Sequence, residues 1–413
     1  MSNRRTFLRQ AAGGAAFAAV AAASSSRPVL GANDRVRFGL IGAGGRGKEI
    51  FKVAAGCPNV EAVAIADLYT RRLEEAKAIA PEAKTYGDFR RLLDDKSVDA
   101  VLIATPQHLH ALNFVPAIEA GKDVYQEKTM AFHPEHARRM RKAFTGSGRV
   151  VQIGMQMNSG PGIREVRKLI TSDRMGTITA IEAHHFRNAP YGGWLRQIPP
   201  DCDAQHVDWP AFEGEAKRYP FDPQRFINWR FYWDYSGGNV FENMVHQVGF
   251  WFQVLGPGIP QAVTMAGANY RSPKMEVPDT MMVSMNHAEN VLFSWNSMFS
   301  NAFYGEGLDY LFGTKGTIVY DTSQRAVYLP HGTRLTATGR LGERSDKSAG
   351  QTAGYLDSTP AHMQDFFDCV RSRKEPVCPF EIGYRSAIAC QMAIASYRQK
   401  RTVGWDPKTE DIV

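Results

Sequence analysis

Residues 36–51, VRFGLIGAGGRGKEIF, constrain the fold more than any other stretch. An apolar run enters a glycine turn, and a helical pattern leaves it. Gly42, Gly44 and Gly47 stand in the spacing G-x-G-x-x-G. In such a strand–turn–helix the first glycine permits the tight turn. The second lets the backbone approach a pyrophosphate, and the third lets the helix pack close to the strand. The helix N-terminus then faces the phosphates, and Arg46 adds a charge within reach of them. The next apolar run, VEAVAIAD (60–67), ends in Asp67, 20 residues beyond Gly47. An acid there accepts hydrogen bonds from the adenosine ribose and repels a 2′-phosphate, so the pattern favours NAD over NADP. Arg71 and Arg72, one helical turn on, weaken that preference. The alternative reading of Asp67 is a helix N-cap.

The alternation continues with VDAVLIATPQHLH (98–110), KDVYQEK and VVQIGMQ as strands between helical segments. Strands alternating with helices imply a parallel, doubly wound sheet with right-handed crossovers, a Rossmann-type α/β domain over 33–156. Ligands of such sheets bind at the carboxyl ends of the strands. Those ends carry Gly42, Asp67, Thr105, Glu127-Lys128 and Gln156. Pro106 and His110, just after Thr105, join them as candidate cofactor residues. From 157 to 413 the pattern changes. Runs such as GTITAIEAHHF and DTMMVSMNHAENVLFSWNSM alternate with period two, which reads as an antiparallel sheet. PAHMQDFFDCVRSR and YRSAIACQMAIASYRQ read as amphipathic helices. The polar stretch 339–354 reads as a surface loop or lid.

The chain opens with MSNRRTFLRQAAGGAAF. Paired arginines before a mild, alanine-rich run make residues 1–32 an export leader of the twin-arginine kind, with a periplasmic or cell-envelope destination. The alternatives are an ordinary secretory signal and an uncleaved tether. The apolar core is too short to span a bilayer, and no later run reaches that length. Arg4, Arg5, Arg9 and Arg27 lie in this leader, leaving +3 of the formal +7 for the remainder, which makes no case for nucleic acid. The five cysteines include no C-x-x-C pair, so neither a zinc site nor a disulfide framework is indicated.

GLIGAGGRG, AIAD, LIATPQHLH, AGKDVYQEK and GTKGTIVYD together resemble the glucose–fructose oxidoreductase / inositol dehydrogenase family, Gfo/Idh/MocA. The resemblance implies a dinucleotide-binding domain joined to an α+β domain on an open, mostly antiparallel sheet. It also implies homo-oligomers, and redox chemistry with NAD(P) on a carbon of a sugar or polyol. The family's E-K-P reads Glu127-Lys128-Thr129 here, with the lysine kept and the proline lost. Its G-G-G-x-x-x-D-x-x-x-H segment falls on 236–246, with Glu242 for the aspartate and His246 for the histidine.

NWRFYWDYSGGNVFENMVHQVGFW (228–251) is the chemically loaded stretch. Glu242 and His246 are four apart, on one helix face. A carboxylate can orient an imidazole, and a histidine exchanges protons near neutrality. Catalytic candidates are therefore His246, Glu242 and Lys128, which donates to the same substrate oxygen. The alternative is a polar pair on a solvated helix. Arg230 grips hydroxyls or a carboxylate, or else pairs with Asp234. Among the aromatics, Trp233 is the candidate for a sugar face. His184 and His185 point to opposite strand faces, and His184 is taken as the substrate residue. His184, His206, Glu242 and His246 lack a metal-ligand spacing, so no metal is expected.

These residues suit oxidation of a secondary alcohol. Export adds a condition, because free NAD is scarce outside the cytoplasm. A protein folded before export carries its NAD along and must regenerate it in each cycle. Paired oxidation and reduction of two sugars does this. Transient oxidation with glycoside elimination, water addition and re-reduction does so as well. A third possibility is an inactive sugar-binding protein on the same fold.

Overall fold

The computed structural model describes residues 35–321, 323–333 and 357–413. The leader 1–32 and the polar stretch 339–354 lie outside the described residues. Six parallel strands form the N-terminal sheet in the order β3-β2-β1-β4-β5-β6. They are β1 (Val36–Ile41), β2 (Val60–Ala66), β3 (Lys84–Tyr86), β4 (Ala100–Ile103), β5 (Asp123–Glu127) and β6 (Val151–Gly154). Every residue of β4 and β5 is buried, as expected of strands covered on both faces. The order reverses between β1 and β4, and the crevice opens there, at the strands' carboxyl ends.

One face of this sheet is closed from far along the chain. Helix Thr359–Ser372 places Phe367 against Phe38 of β1, ring centroids 5.2 Å apart. Met363, Phe366 and Val370 are fully buried in the same cluster. In the sequence this helix falls with the second domain, yet it packs on the first.

The second sheet has nine strands in the order β13-β12-β11-β7-β10-β9-β8-β14-β15. They are β7 (Ile178–Phe186), β8 (Ala262–Ala268), β9 (Thr280–Asn286), β10 (Leu292–Met298), β11 (Glu306–Gly313), β12 (Gly316–Tyr320), β13 (Ala326–Pro330), β14 (Val403–Asp406) and β15 (Asp411–Ile412). Its pairs are antiparallel except β7 with β10. Along β9, Met281, Val283 and Met285 are buried while Met282, Ser284 and Asn286 are exposed. The inner face receives helices Val245–Leu255 and Phe380–Gln399. Burying large side chains such as Trp251 and Trp295 contributes about 1.5–3 kcal/mol each. Trp251 Nε1 donates to Asp309 Oδ2 at 2.8 Å, and Trp295 Nε1 to Gln247 Oε1 at 2.6 Å. Gln247 Nε2 in turn donates to Asp309. This net fixes helix Val245–Leu255 to β11. Burial pushes the Asp309 carboxyl up to about 7.

Between β7 and that helix, residues 187–235 form an irregular strap with only short helices, Trp209–Glu213 and Pro223–Ile227. Its aromatic core, including Trp209, Phe212 and Phe226, closes around Tyr69 of the first sheet's crevice. Tyr69 Oη donates to Asp201 at 2.8 Å, and Arg71 Nη1 to the same oxygen at 2.9 Å. Main-chain bonds Thr70 N to His206 O (3.1 Å) and Asp208 N to Leu68 O (2.9 Å) complete a latch. Among the described residues no helix is long and apolar enough to cross a membrane.

Candidate active site

The turn after β1 needs its glycines. Gly42 has φ +92°, and a Cβ on Gly47 would lie 1.9 Å from Gly42 O. A Cβ on Gly44 or Gly45 would meet nothing within 4 Å, so the turn faces open space at the start of helix Gly45–Ala55. That space is a cavity of about 1090 Å³, lined by Gly42, Gly44, Arg46, Asp67, Thr105 and Pro106 on one side. The strap supplies the other side with Trp194, Arg196, Trp229 and Arg230. Asp67 accepts Ala43 N at 2.6 Å and Tyr69 N at 2.9 Å. A carboxylate has about four lone-pair sites, so capacity remains for ribose hydroxyls. Burial raises the Asp67 carboxyl, opposed by Arg72 and these two bonds. The bare turn, the helix N-terminus and Asp67 fit the pyrophosphate and ribose of NAD.

Three of the expected cofactor residues serve elsewhere. Glu127 is buried and accepts from Arg46 Nε (2.8 Å), Gln156 Nε2 (3.1 Å) and Lys128 N (3.1 Å). Burial raises its carboxyl, but Arg46 and Lys128 outweigh that and hold it low. Gln156 also donates to Tyr125 Oη at 2.7 Å. Arg46 is itself spent on Glu127 and on Glu49 at 2.7 Å. Neither Glu127 nor Gln156 lines the cavity; the two orient Arg46. His110 is fully buried between Thr129 O (2.7 Å, from Nδ1) and Thr105 O (2.9 Å, from Nε2), a strut joining two strand ends rather than a cofactor contact.

Lys128 stands at the carboxyl end of β5. The Lys128–Thr129 peptide is cis although no proline follows, and Thr129 Oγ1 donates to Phe241 O at 2.8 Å. Lys128 Nζ donates to Glu242 Oε2 at 2.8 Å and to Glu242 O at 3.0 Å. Gln107 Nε2 donates to Glu242 Oε1 at 2.7 Å, and Arg230 Nε lies 3.1 Å from the same oxygen. Burial alone pushes the Glu242 carboxyl up, but Arg230 and Lys128 hold it at about 2. Glu242 lies in a π-helical turn, Val240–Met244, that precedes helix Val245–Leu255. No hydrogen bond joins it to His246, contrary to the expected carboxylate–imidazole pair; its oxygens accept from Lys128 and Gln107 instead. Burial, then the Lys128 cation, push His246 down to about 3, so its imidazole is neutral, the form a base must start from, while the same burial opposes the imidazolium. Lys128, Glu242 and His246 do not line the cavity, whereas Arg230, which does, reaches Glu242.

Two substrate assignments are corrected. His184 stacks on Tyr304 (centroids 3.9 Å) with its Nε2 3.1 Å from Glu182, on the sheet face turned away from the site. His185 takes the inner face, where burial, Arg187 and His246 drive its imidazole well down and its Nε2 has no partner. Trp233 packs toward Tyr397 (5.9 Å) and Arg398 (5.4 Å), while Trp194 and Trp229 line the cavity. Asp234 pairs with Arg225 at 3.1 Å, leaving Arg230 to Glu242. Gln107 was missed; a polar residue straight after Thr105-Pro106 at a strand end was its signal. Strand alternation left the two histidines open.

Comparison with known proteins agrees with this geometry. Residues 36–155 match the oxidoreductase family NAD-binding Rossmann fold (GFO_IDH_MocA), and 211–404 match the family's C-terminal alpha/beta domain. A 2,7-anhydro-N-acetylneuraminate hydratase of Mediterraneibacter gnavus is 26% identical over 293 residues, 69% of this chain and 67% of that protein. An inositol 2-dehydrogenase of Salmonella typhimurium is 30% identical over 154 residues, 37% of this chain and 46% of that protein. The structure of a levoglucosan dehydrogenase with NADH and levoglucosan shares the fold at TM-score 0.66 and 21% identity, covering 90% of this chain and 99% of that one. With both domains matched in order and an NAD-shaped turn at the crevice, the chain belongs to the Gfo/Idh/MocA oxidoreductase family, with an NAD-binding Rossmann domain.

Proposed function

We propose that this protein is an NAD-dependent oxidoreductase that oxidises a secondary alcohol of a sugar or sugar derivative and keeps its NAD bound between turnovers, recycling it in the active site by reducing the carbonyl of a second sugar. The observation that carries this is Lys128 at the carboxyl end of β5, held by Glu242 at 2.8 Å, with His246 in the helical turn after Glu242 and its imidazole hydrogen-bonded to no described residue. NAD, when bound, accepts the hydride. His246 takes the hydroxyl proton, and Lys128 donates to the same oxygen and steadies it as the carbonyl forms. Glu242 acts through Lys128 by fixing its ammonium. The latch over the crevice supports cofactor retention. In this reading the chain leaves the cytoplasm folded by the twin-arginine route, with NAD aboard, and works in the periplasm or cell envelope as a homo-oligomer.

The decisive variant is Lys128→Met. Turnover falls by ~10²–10⁴-fold, while NADH binding measured by fluorescence is kept. Full turnover without Lys128 sinks the mechanism. Denaturing protein purified without added cofactor releases near-stoichiometric NAD(H) if the cofactor is retained. A light-scattering mass of one chain removes the oligomer.

A second reading is redox-neutral: transient oxidation to a ketone, elimination of a glycosidic group, water addition and re-reduction. The hydratase relative supports it. Aglycone release without net NADH selects this reading; oxidation of one sugar matched by reduction of a second carbonyl, with no aglycone released, selects the first.

A further inference from the structure

Arginines crowd the cavity, and most are matched by a carboxylate: Arg71 by Asp201, Arg139 by Glu215, Arg218 by Glu213. Arg196 is different. Among the described residues its guanidinium meets only main-chain carbonyls, Gly193 O at 2.6 Å and Leu195 O at 3.2 Å. Its backbone is fixed in both directions by one side chain: Arg196 N donates to Asn228 Oδ1 at 2.7 Å, and Asn228 Nδ2 to Arg196 O at 3.1 Å. Asn228 is two residues from Arg230, so the clamp ties Arg196 to the arginine that touches Glu242. Arg230 lies over the Trp229 ring at 4.3 Å, and its Nε comes within 3.1 Å of Glu242 Oε1. Its terminal amino groups donate to no described residue. Both arginines line the cavity, and burial together with Arg230's charge depresses the Arg196 guanidinium. Two cations fixed on one wall with their forks open form a site for an anion, and the planar fork matches a carboxylate bidentately.

We propose that the substrate is an acidic sugar whose carboxylate binds between Arg196 and Arg230, on the cavity wall that Arg230 joins to Glu242. This rests on the oxidoreductase reading for the identity of the site but is tested without turnover. The cofactor's pyrophosphate belongs at the open turn of Gly44 and Gly45, on the opposite wall.

The experiment is calorimetric titration of the NADH-loaded full chain with D-glucuronate, D-galacturonate and D-mannuronate, each beside its neutral hexose and hexose 6-phosphate. At least one uronate binds ~10–100-fold tighter than its hexose, the range expected for hydrogen bonds to a charged group. Arg196→Gln abolishes the difference and Arg196→Lys restores part of it, while NADH affinity is unchanged. The Asn228 clamp uses main-chain atoms of residue 196, so both variants keep it. The proposal falls if no uronate is preferred, if a 6-phosphate is preferred instead, or if Arg196→Gln keeps the preference. It falls too if that variant weakens NADH, which assigns Arg196 to the cofactor. Turnover of neutral sugars with no uronate preference leaves the oxidoreductase reading standing and removes this one.

Discussion

At the scale of single residues, Glu242 holds the site together. It is the shared anion for Lys128 and Arg230, itself buried while both cations keep some contact with solvent. Glu242→Gln leaves two cations facing a neutral amide; breaking a fully buried pair costs about 3–5 kcal/mol, and the partial exposure of the cations puts the loss here below that range. Chemical denaturation should show that loss at neutral pH and a smaller one in acid. The sign follows from the carboxyl at about 2 against 4.5 when free. Its contribution is complete above pH 4.5 and drains as the pH falls toward 2. His246, held at about 3 against 6.5, adds a loss of the same sign below 6.5. Which residues were legible follows from what constrains them. Gly42 and Gly47 answer to backbone geometry, and no other residue type fits, so sequence names them. His184 and His185 answer to which sheet face is inner, and a strand's alternation supplies two faces without labelling either.

At the scale of elements, the glycine turn and the period-two strands were readable because each carries its periodicity within itself. The strap 187–235 has none; its helices are five residues long, and its order comes from an aromatic cluster assembled around Tyr69. Helix Thr359–Ser372 was readable as an amphipathic helix, but an apolar stripe does not name its partner. The attachment of helix Val245–Leu255 is testable through Asp309. With its carboxyl raised from 3.8 to about 7, the fold prefers the protonated form. That contribution is complete below pH 3.8 and is lost as the pH rises through 7. The stability difference between wild type and Asp309→Asn should therefore shrink by up to ~4 kcal/mol between pH 4 and 7 and stay level above it. A difference independent of pH removes Asp309 as the titrating anchor.

At the scale of the molecule, the latch across the crevice is where the proposed retention of the cofactor can be tested. Asp201 accepts from both Tyr69 and Arg71 across the crevice mouth. Asp201→Asn, or Tyr69→Phe, should speed NADH release in stopped-flow fluorescence by ~2–10-fold per bond lost, with little change in thermal stability. An unchanged off-rate means the strap covers the crevice without holding it. The helix that closes the first sheet has a consequence of another kind. Phe38 lies in β1, and Phe367, which covers it, comes far later in the chain. Until that later helix leaves the ribosome, the apolar face it covers stays bare, as incomplete chains of larger proteins commonly expose apolar surface. Any machinery that meets the chain before then must shelter an incomplete sheet.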